Sequence, residues 1–556
     1  MKRSENSISE RICKPLSVPN MSLYSFLLHR NPINASKTVC RCHDEVLLFK
    51  VLKIKSGQCA KALLALGVQK GDIVPICSEP SIAAIVVFFA LNRIGAISCF
   101  LNSTASVEEI NGYLRKFESK TFVISSNCYS KLHQMDEKLE PIDHVICMPS
   151  IGSDNQMGKN EVGIIYFTDL LILGQSENVN LDLGCKDDAA HISFTSGTTG
   201  APKSILLSNE NLMAELIALK KATMMQWGPC GNSMQVVPFN YPYGFIVSVL
   251  FPMYCGKTVT LTPMMTLQNI GDYLERYQPN YINGIPAFYF QLMQEKSADS
   301  DLSFIKFPVT GGDTLDASTE EKVNNFLRLH GSKGRIMNGC GNGEGCGSLL
   351  NPASVIERYR PGSCGKAIPG LSVKLISDET GKAVPIGQTG RFCFSGTNLM
   401  MEYYHDTTAT NNVIKTDQTG MRWFYSDAYM HMDKDGWMYM DGRDRRFFIT
   451  FDSSGSPYKV YSDYVQSIIN GVSNRILGCA VVKKADSIRS FAPVAYIQFQ
   501  GSQEEWNITL KDIQMVCAAK LQSCAVPVEY IRIDKLPLTA AGKMDYSVLE
   551  RVTNEA

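Results

Sequence analysis

The run Phe194-Thr195-Ser196-Gly197-Thr198-Thr199-Gly200-Ala201-Pro202-Lys203-Ser204 constrains this 556-residue chain more than any other stretch. Hydroxyl residues, two glycines and a lysine lie between one apolar run, His191 to Phe194, and a second, Ile205 to Leu207. Such a loop can wrap a polyphosphate: glycines let backbone N–H groups converge, hydroxyls donate hydrogen bonds and lysine supplies positive charge. The ligand it suits is a nucleotide or a similar anion. It is not the ordinary P-loop, which needs glycine directly before the lysine. Pro202 stands there, with no N–H to join an anion nest.

The chain is too long for one core, and domains of ~100–200 residues imply two to four units. Its 54 basic and 54 acidic residues cancel, whereas a general nucleic-acid binder carries a clustered positive excess. The start, Met1 to Asn6, has basic residues but no apolar stretch behind it, so it is not a secretory signal. The longest clean apolar run, Ile82 to Leu91, falls short of the ~20 residues a membrane span needs. Eighteen cysteines in a chain without a signal read as reduced thiols of a cytoplasmic protein. Cys40-x-Cys42-His43 offers metal ligands, but no second cluster completes a zinc site at normal spacing.

Apolar β-rich segments (Asp72–Cys77, Thr121–Ser125, His144–Cys147) alternate with helical ones such as Ile82–Leu91, which predicts an α/β fold of parallel sheets covered by helices. From Ser363 to Gly396, short strands with Gly and Pro turns (Leu371–Ile376, Gly390–Phe394) predict a small β subdomain. An α+β tail follows Arg445: helix Val460–Ile469, strands Gly478–Lys483 and Pro493–Phe499, helix Leu510–Leu521. The expected division is a large domain 1–444, with its β subdomain at about 363–444, and a smaller domain 445–556.

The loop resembles, almost letter for letter, the Thr-Ser-Gly-Thr-Thr-Gly-x-Pro-Lys loop of the adenylate-forming (AMP-binding) superfamily. That superfamily includes acyl-CoA synthetases, aryl-acid ligases, firefly luciferase and peptide-synthetase adenylation domains. Asn338-Gly339-Cys340-Gly341-Asn342-Gly343-Glu344 resembles its Tyr-Gly-x-Thr-Glu motif, with Cys340 for the aromatic beside adenine and Gly343 for the threonine at the α-phosphate. Restoring that hydroxyl at position 343 is expected to improve ATP use. Gly311-Gly312-Asp313-Thr314 matches the adenine-side Gly-Gly-x-Pro loop, with threonine for proline. Asp427 lies where a Thr-Gly-Asp motif supplies a ribose-binding acid, and Arg443 follows in Asp441-Gly442-Arg443. Pro537-Leu538-Thr539-Ala540-Ala541-Gly542-Lys543 resembles the C-terminal Pro-x-Thr-x-x-Gly-Lys motif.

The resemblance implies ATP-dependent activation of a small carboxylic acid as acyl-AMP, then transfer to the thiol of CoA or of a phosphopantetheine carrier acting in trans. It implies Mg²⁺ held by Glu344, a catalytic Lys543 bridging acid and α-phosphate, and a C-terminal lid turning about Arg445. Nucleotide contacts are expected from Thr195, Ser196, Gly197, Thr198, Thr199, Gly200 and Lys203, and from Gly312, Asp313, Thr314, Asn338, Gly339, Cys340, Asp427 and Arg443. Asn240, Tyr241 and Tyr243, with Gly341 and Gly345 opposite leaving room, are expected to shape a pocket for a medium-sized aryl or acyl acid. After the hinge, the usual Lys-x-x-Gly-Tyr-Lys-Val is replaced by a longer Phe451-Asp-Ser-Ser-Gly-Ser-Pro457-Tyr458-Lys459-Val460. That keeps open an adenylating enzyme with a non-thiol acceptor. Cys340 and Gly343 keep open a degenerate nucleotide-binding relative without turnover, against which the retained Glu344, Asp427 and Lys543 argue.

Overall fold

The computed structural model of the chain describes residues 8–28, 35–134, 142–150, 163–176, 181, 183–195, 202–223, 231–263, 265, 269–294, 301–313, 315–351, 359–443, 447–451, 457–486, 489–539 and 543–555. The strands Ile73–Cys77, Ile97–Leu101 and Thr121–Ser125 are buried throughout, which is why they read as continuous apolar runs rather than alternating ones. With His144–Met148, Ile164–Tyr166 and Ala189–Phe194 they form a parallel array. Ser204–Ser208 and then Glu402–Tyr403 extend it antiparallel, to give eight strands.

A second sheet of seven strands runs from Met337–Asn338 through Phe307–Thr310, Tyr281–Gly284, Asn232–Gln235 and Thr258–Leu261 to the hairpin Thr38–Cys42/Glu45–Leu48. The helix Ile82–Ile94 touches strands of both sheets, and the main core lies between them. Its apolar residues face every direction because nearly every position is buried. Ser81 caps its start by accepting the Ala84 N–H, and Gly95 ends it at φ 75°.

A third, antiparallel sheet contains Ser372–Ile376, Gly390–Ser395, Ile414–Thr416 and the hairpin Arg422–Met432/Met438–Arg443. Glu10–Arg11, from the other end of the chain, pairs along its edge. The C-terminal part holds the hairpin Phe447–Phe451/Pro457–Tyr461 and the three strands Ile476–Asp486, Ser490–Phe499 and Glu529–Ile533. Two helix starts differ from the sequence expectation. The helix expected from Val460 begins at Ser462, because Pro457–Tyr461 is taken up in strand pairing. The helix expected from Leu510 begins at Gln503, behind a capping box in which Ser502 Oγ accepts the Glu505 N–H and Glu505 accepts the Ser502 N–H. Among the described residues no helix is long and apolar enough to cross a membrane.

Candidate active site

Strand pairing of Phe194 with Ser204 brings the two ends of the phosphate-type loop together at the mouth of a cavity of about 350 Å³. The Thr195 N–H donates to the Lys203 carbonyl (3.1 Å), and the Lys203 N–H donates to Thr195 Oγ1 (3.0 Å). Thr195 and Lys203 both line the cavity. Ser196, Gly197, Thr198, Thr199 and Gly200, with Thr314 and the hinge residue Arg445, lie outside the described residues.

The second wall is the turn from Cys340 to Gly347. Gly341 is required there, since a Cβ would lie 2.2 Å from the Gly347 carbonyl oxygen. Asn342 Oδ1 accepts the Gly345 N–H (2.9 Å) and fixes the turn that presents Glu344. The Glu344 carboxylate is buried and accepts a short hydrogen bond from the Tyr403 hydroxyl (2.5 Å). Burial pushes the Glu344 carboxyl above its ordinary range, and the Tyr403 bond opposes that shift. Lys203 Nζ lies 4.6 Å from the Tyr403 ring centre, completing a Lys203–Tyr403–Glu344 group. The Cys340 thiol is held below the ordinary cysteine range, chiefly by a hydrogen bond with the Cys364 thiol, with the Arg443 charge contributing.

The hairpin Arg422–Met432/Met438–Arg443 supplies the third wall. Ala428 pairs with Arg443, so Asp427 and Arg443 are neighbours across the ladder, and both line the cavity. Arg443 Nε is buried with no hydrogen-bond partner among the described residues, as a donor reserved for a ligand would be. Lys543 closes the cavity from the C-terminal part, its Cε 3.7 Å from where a Cβ on Gly312 would sit. The Lys543 loop is folded on itself, with the Lys543 N–H donating to Thr539 Oγ1 (3.2 Å) and the Thr539 N–H to the Lys543 carbonyl (2.7 Å).

On the acid side, Tyr241, Tyr243 and Gly341 line the cavity. Tyr243 opens a widely wound π-helical segment, Tyr243–Leu250, in which Ser248 Oγ donates to the Tyr243 carbonyl (2.8 Å). Its hydroxyl donates to the Gly284 carbonyl (3.0 Å), so the ring stands as a fixed partition before a smaller space of about 30 Å³. Several expected residues fall elsewhere. Asn240 is buried behind the wall, where its carbonyl accepts the Phe194 N–H. Gly345 faces Leu349 and Phe394, and Gly347 takes the lining position instead. Asn338 donates to the Leu315 carbonyl away from the cavity, and Gly339 borders only the smaller space. Asp313 accepts the Met544 N–H (3.4 Å) and lines a neighbouring cavity instead of this one. A Cβ on Gly343 would lie 2.4 Å from Ile205 Cδ1, so the end of that side chain must shift to admit the family's threonine. Tyr403 belongs to no motif in the sequence, and it reaches Glu344 because the neighbouring Glu402 pairs with Leu206.

The match to the AMP-binding enzyme model spans residues 30–404, and that to the AMP-binding enzyme C-terminal domain spans residues 465–543. The chain belongs to the AMP-binding enzyme family, with a large N-terminal and a smaller C-terminal domain. It is similar to 4-coumarate–CoA ligase 3 of Arabidopsis thaliana, 24% identical over 87% of this chain and 82% of that one. It is also similar to the mitochondrial medium-chain acyl-CoA ligase ACSF2 of Danio rerio, 23% identical over 99% of this chain and 94% of the other. In fold it resembles the crystal structure of the anthranilate CoA ligase AuaEII with anthranoyl-AMP. The TM-score is 0.82 at 20% identity, covering 96% of this chain and 98% of that one.

Proposed function

We propose that this protein is an acid–thiol ligase that joins a carboxylic acid to AMP, releases pyrophosphate and passes the acyl group to the thiol of CoA. The observation that carries this is the convergence of Lys203, Glu344, Asp427, Arg443 and Lys543, from separate segments, on one cavity. Asp427 accepts the two ribose hydroxyls, as one carboxylate can. The unpartnered Arg443 Nε and the glycine-lined turn at Gly341 fit a nucleotide phosphate or ribose edge. Lys543 meets negative charge shared between the attacking carboxylate and the α-phosphate, which is worth roughly 10²–10³ in rate. Glu344, buried and oriented by Tyr403, would hold Mg²⁺, which would supply neutralisation of phosphate charge. Tyr241 and Tyr243 face a medium-sized aryl or acyl body.

The domain boundary we propose lies at 444/445, with the lid turning at Arg445. A cytoplasmic site fits the cysteines, none of which is disulfide-bonded among the described residues. A carrier protein in trans is the alternative thiol. The longer segment between Phe451 and Val460 favours a second reading, transfer to a non-thiol acceptor. The test is acid-dependent exchange of labelled pyrophosphate into ATP across benzoate, 4-coumarate, hexanoate, palmitate and the amino acids, followed by CoA-dependent thioester release. Exchange without CoA-dependent release selects the second reading, and no exchange with any acid overturns the first.

A further inference from the structure

One helix of the large domain holds the lid at both ends of the contact. Ala317–Leu329 starts behind Asp316, whose Oδ1 accepts the Thr319 N–H (3.0 Å) and whose Oδ2 accepts the Thr319 hydroxyl (2.8 Å). The same Oδ2 accepts Asn470 Nδ2 of the lid (3.1 Å). One turn and a half further on, Lys322 Nζ donates to the carbonyls of Asn470 (2.9 Å), Ser473 (2.9 Å) and Ile476 (3.1 Å). These three acceptors use all three ammonium donors. Asn470 ends the lid helix Ser462–Asn470, and Ile476 opens the strand Ile476–Asp486. A cation at a helix C-terminus also meets the negative end of its dipole. Burial lowers the Lys322 ammonium below the ordinary lysine range. Lys322 is half-buried, and all three of its hydrogen-bond acceptors sit on the other domain, so protein groups satisfy its ammonium in this pose and turning the lid hands it to water. A few residues upstream, Asp313 receives the Met544 N–H next to Lys543.

We infer that Lys322 is a positioning residue: it latches the lid in the orientation that sets Lys543 over Gly312, and its three hydrogen bonds must break before the lid can turn. The part concerning catalysis rests on the two-step reading above.

The contact can be tested without knowing the acid. Ser318 Cβ lies 3.9 Å from where a Cβ on Gly471 would sit, within the roughly 3.5–4.5 Å that disulfides span. In S318C/G471C, oxidised glutathione takes two electrons and the two thiol protons and leaves the cross-link, scored by peptide mass. Adding Lys322→Met is expected to slow cross-linking at least fivefold, while Lys322→Arg restores half the rate or more. Equal rates with Lys and Met overturn the latch whether or not the protein is a ligase. With the acid that exchanges fastest, Lys322→Met is expected to lower the kcat of pyrophosphate exchange about tenfold with the ATP KM within twofold. Transfer from synthetic acyl-AMP to CoA should keep its rate or gain. Equal loss in both half-reactions, or no loss in exchange, overturns the positioning role.

Discussion

Glu215→Gln should remove a pH dependence of stability that the parent shows between pH 4.5 and about 8. Glu215, on the helix Asn209–Thr223, is 0% exposed, and among the described residues no cation contributes to its electrostatics. Its Oε1 accepts the Ser348 N–H (3.1 Å) and its Oε2 accepts Asn398 Nδ2 (2.8 Å), which also reaches the Gly345 carbonyl (3.3 Å). Burial pushes the carboxyl up from 4.5 to about 8, the two donors only partly opposing it. The folded-state value is raised, so the folded protein keeps a proton that the unfolded chain releases. Stability is therefore highest below the unfolded value and falls as pH rises through the window between 4.5 and about 8. At 1.36 kcal/mol per unit the loss has a ceiling of about 5 kcal/mol. Glutamine has the same shape and does not ionise. It forfeits about 1 kcal/mol, because an amide N–H must face one of two donors unless Asn398 turns over. Urea unfolding at pH 5.5, 7.0 and 8.5 should show the parent losing several kcal/mol while the variant stays level, with the curves crossing. Parallel curves, or a variant weaker at every pH, would refute the assignment of a neutral buried carboxyl beneath the Glu344 turn.

Lys543→Ala should leave the melting temperature within a degree or two but lower pyrophosphate exchange by ~10²–10³; exchange within twofold of the parent would remove Lys543 from the chemistry. On the proposed role, the ionised form of Glu344 is the one that would bind Mg²⁺, and burial raises its carboxyl. The acid limb of kcat/KM for ATP should thus fall at a pH above the ordinary carboxylate range and vanish in Glu344→Gln; an unchanged limb in that variant sinks the role. Gly343→Thr alone should slow adenylation, since its Cβ collides with Ile205 Cδ1. Gly343→Thr with Ile205→Val should recover it, and a faster single variant would show that Ile205 yields freely.

The chemistry of this protein is legible in its sequence because each motif is a local solution. A loop that approaches phosphate needs its own glycines, hydroxyls and lysine, and Glu344, Asp427, Arg443 and Lys543 each stand in a short segment that resembles a family motif. Alternating strand and helix patterns likewise report burial on one or both faces, which is decided residue by residue. Pairings between distant segments leave no such trace. Glu10–Arg11 joins a sheet of residues beyond 370, Tyr403 reaches Glu344 through the register of an edge strand, and Ile205 fills the space at Gly343. Gly345 and Gly347 are equivalent in sequence, but only the fold of the turn decides which one faces the cavity. Glu215 and Lys322 look like surface charges on amphipathic helices, and become a neutral buried acid and an interdomain latch only when other chain segments cover them. Local composition fixes what a segment can bind, whereas the choice of partner depends on packing between residues that the sequence holds far apart.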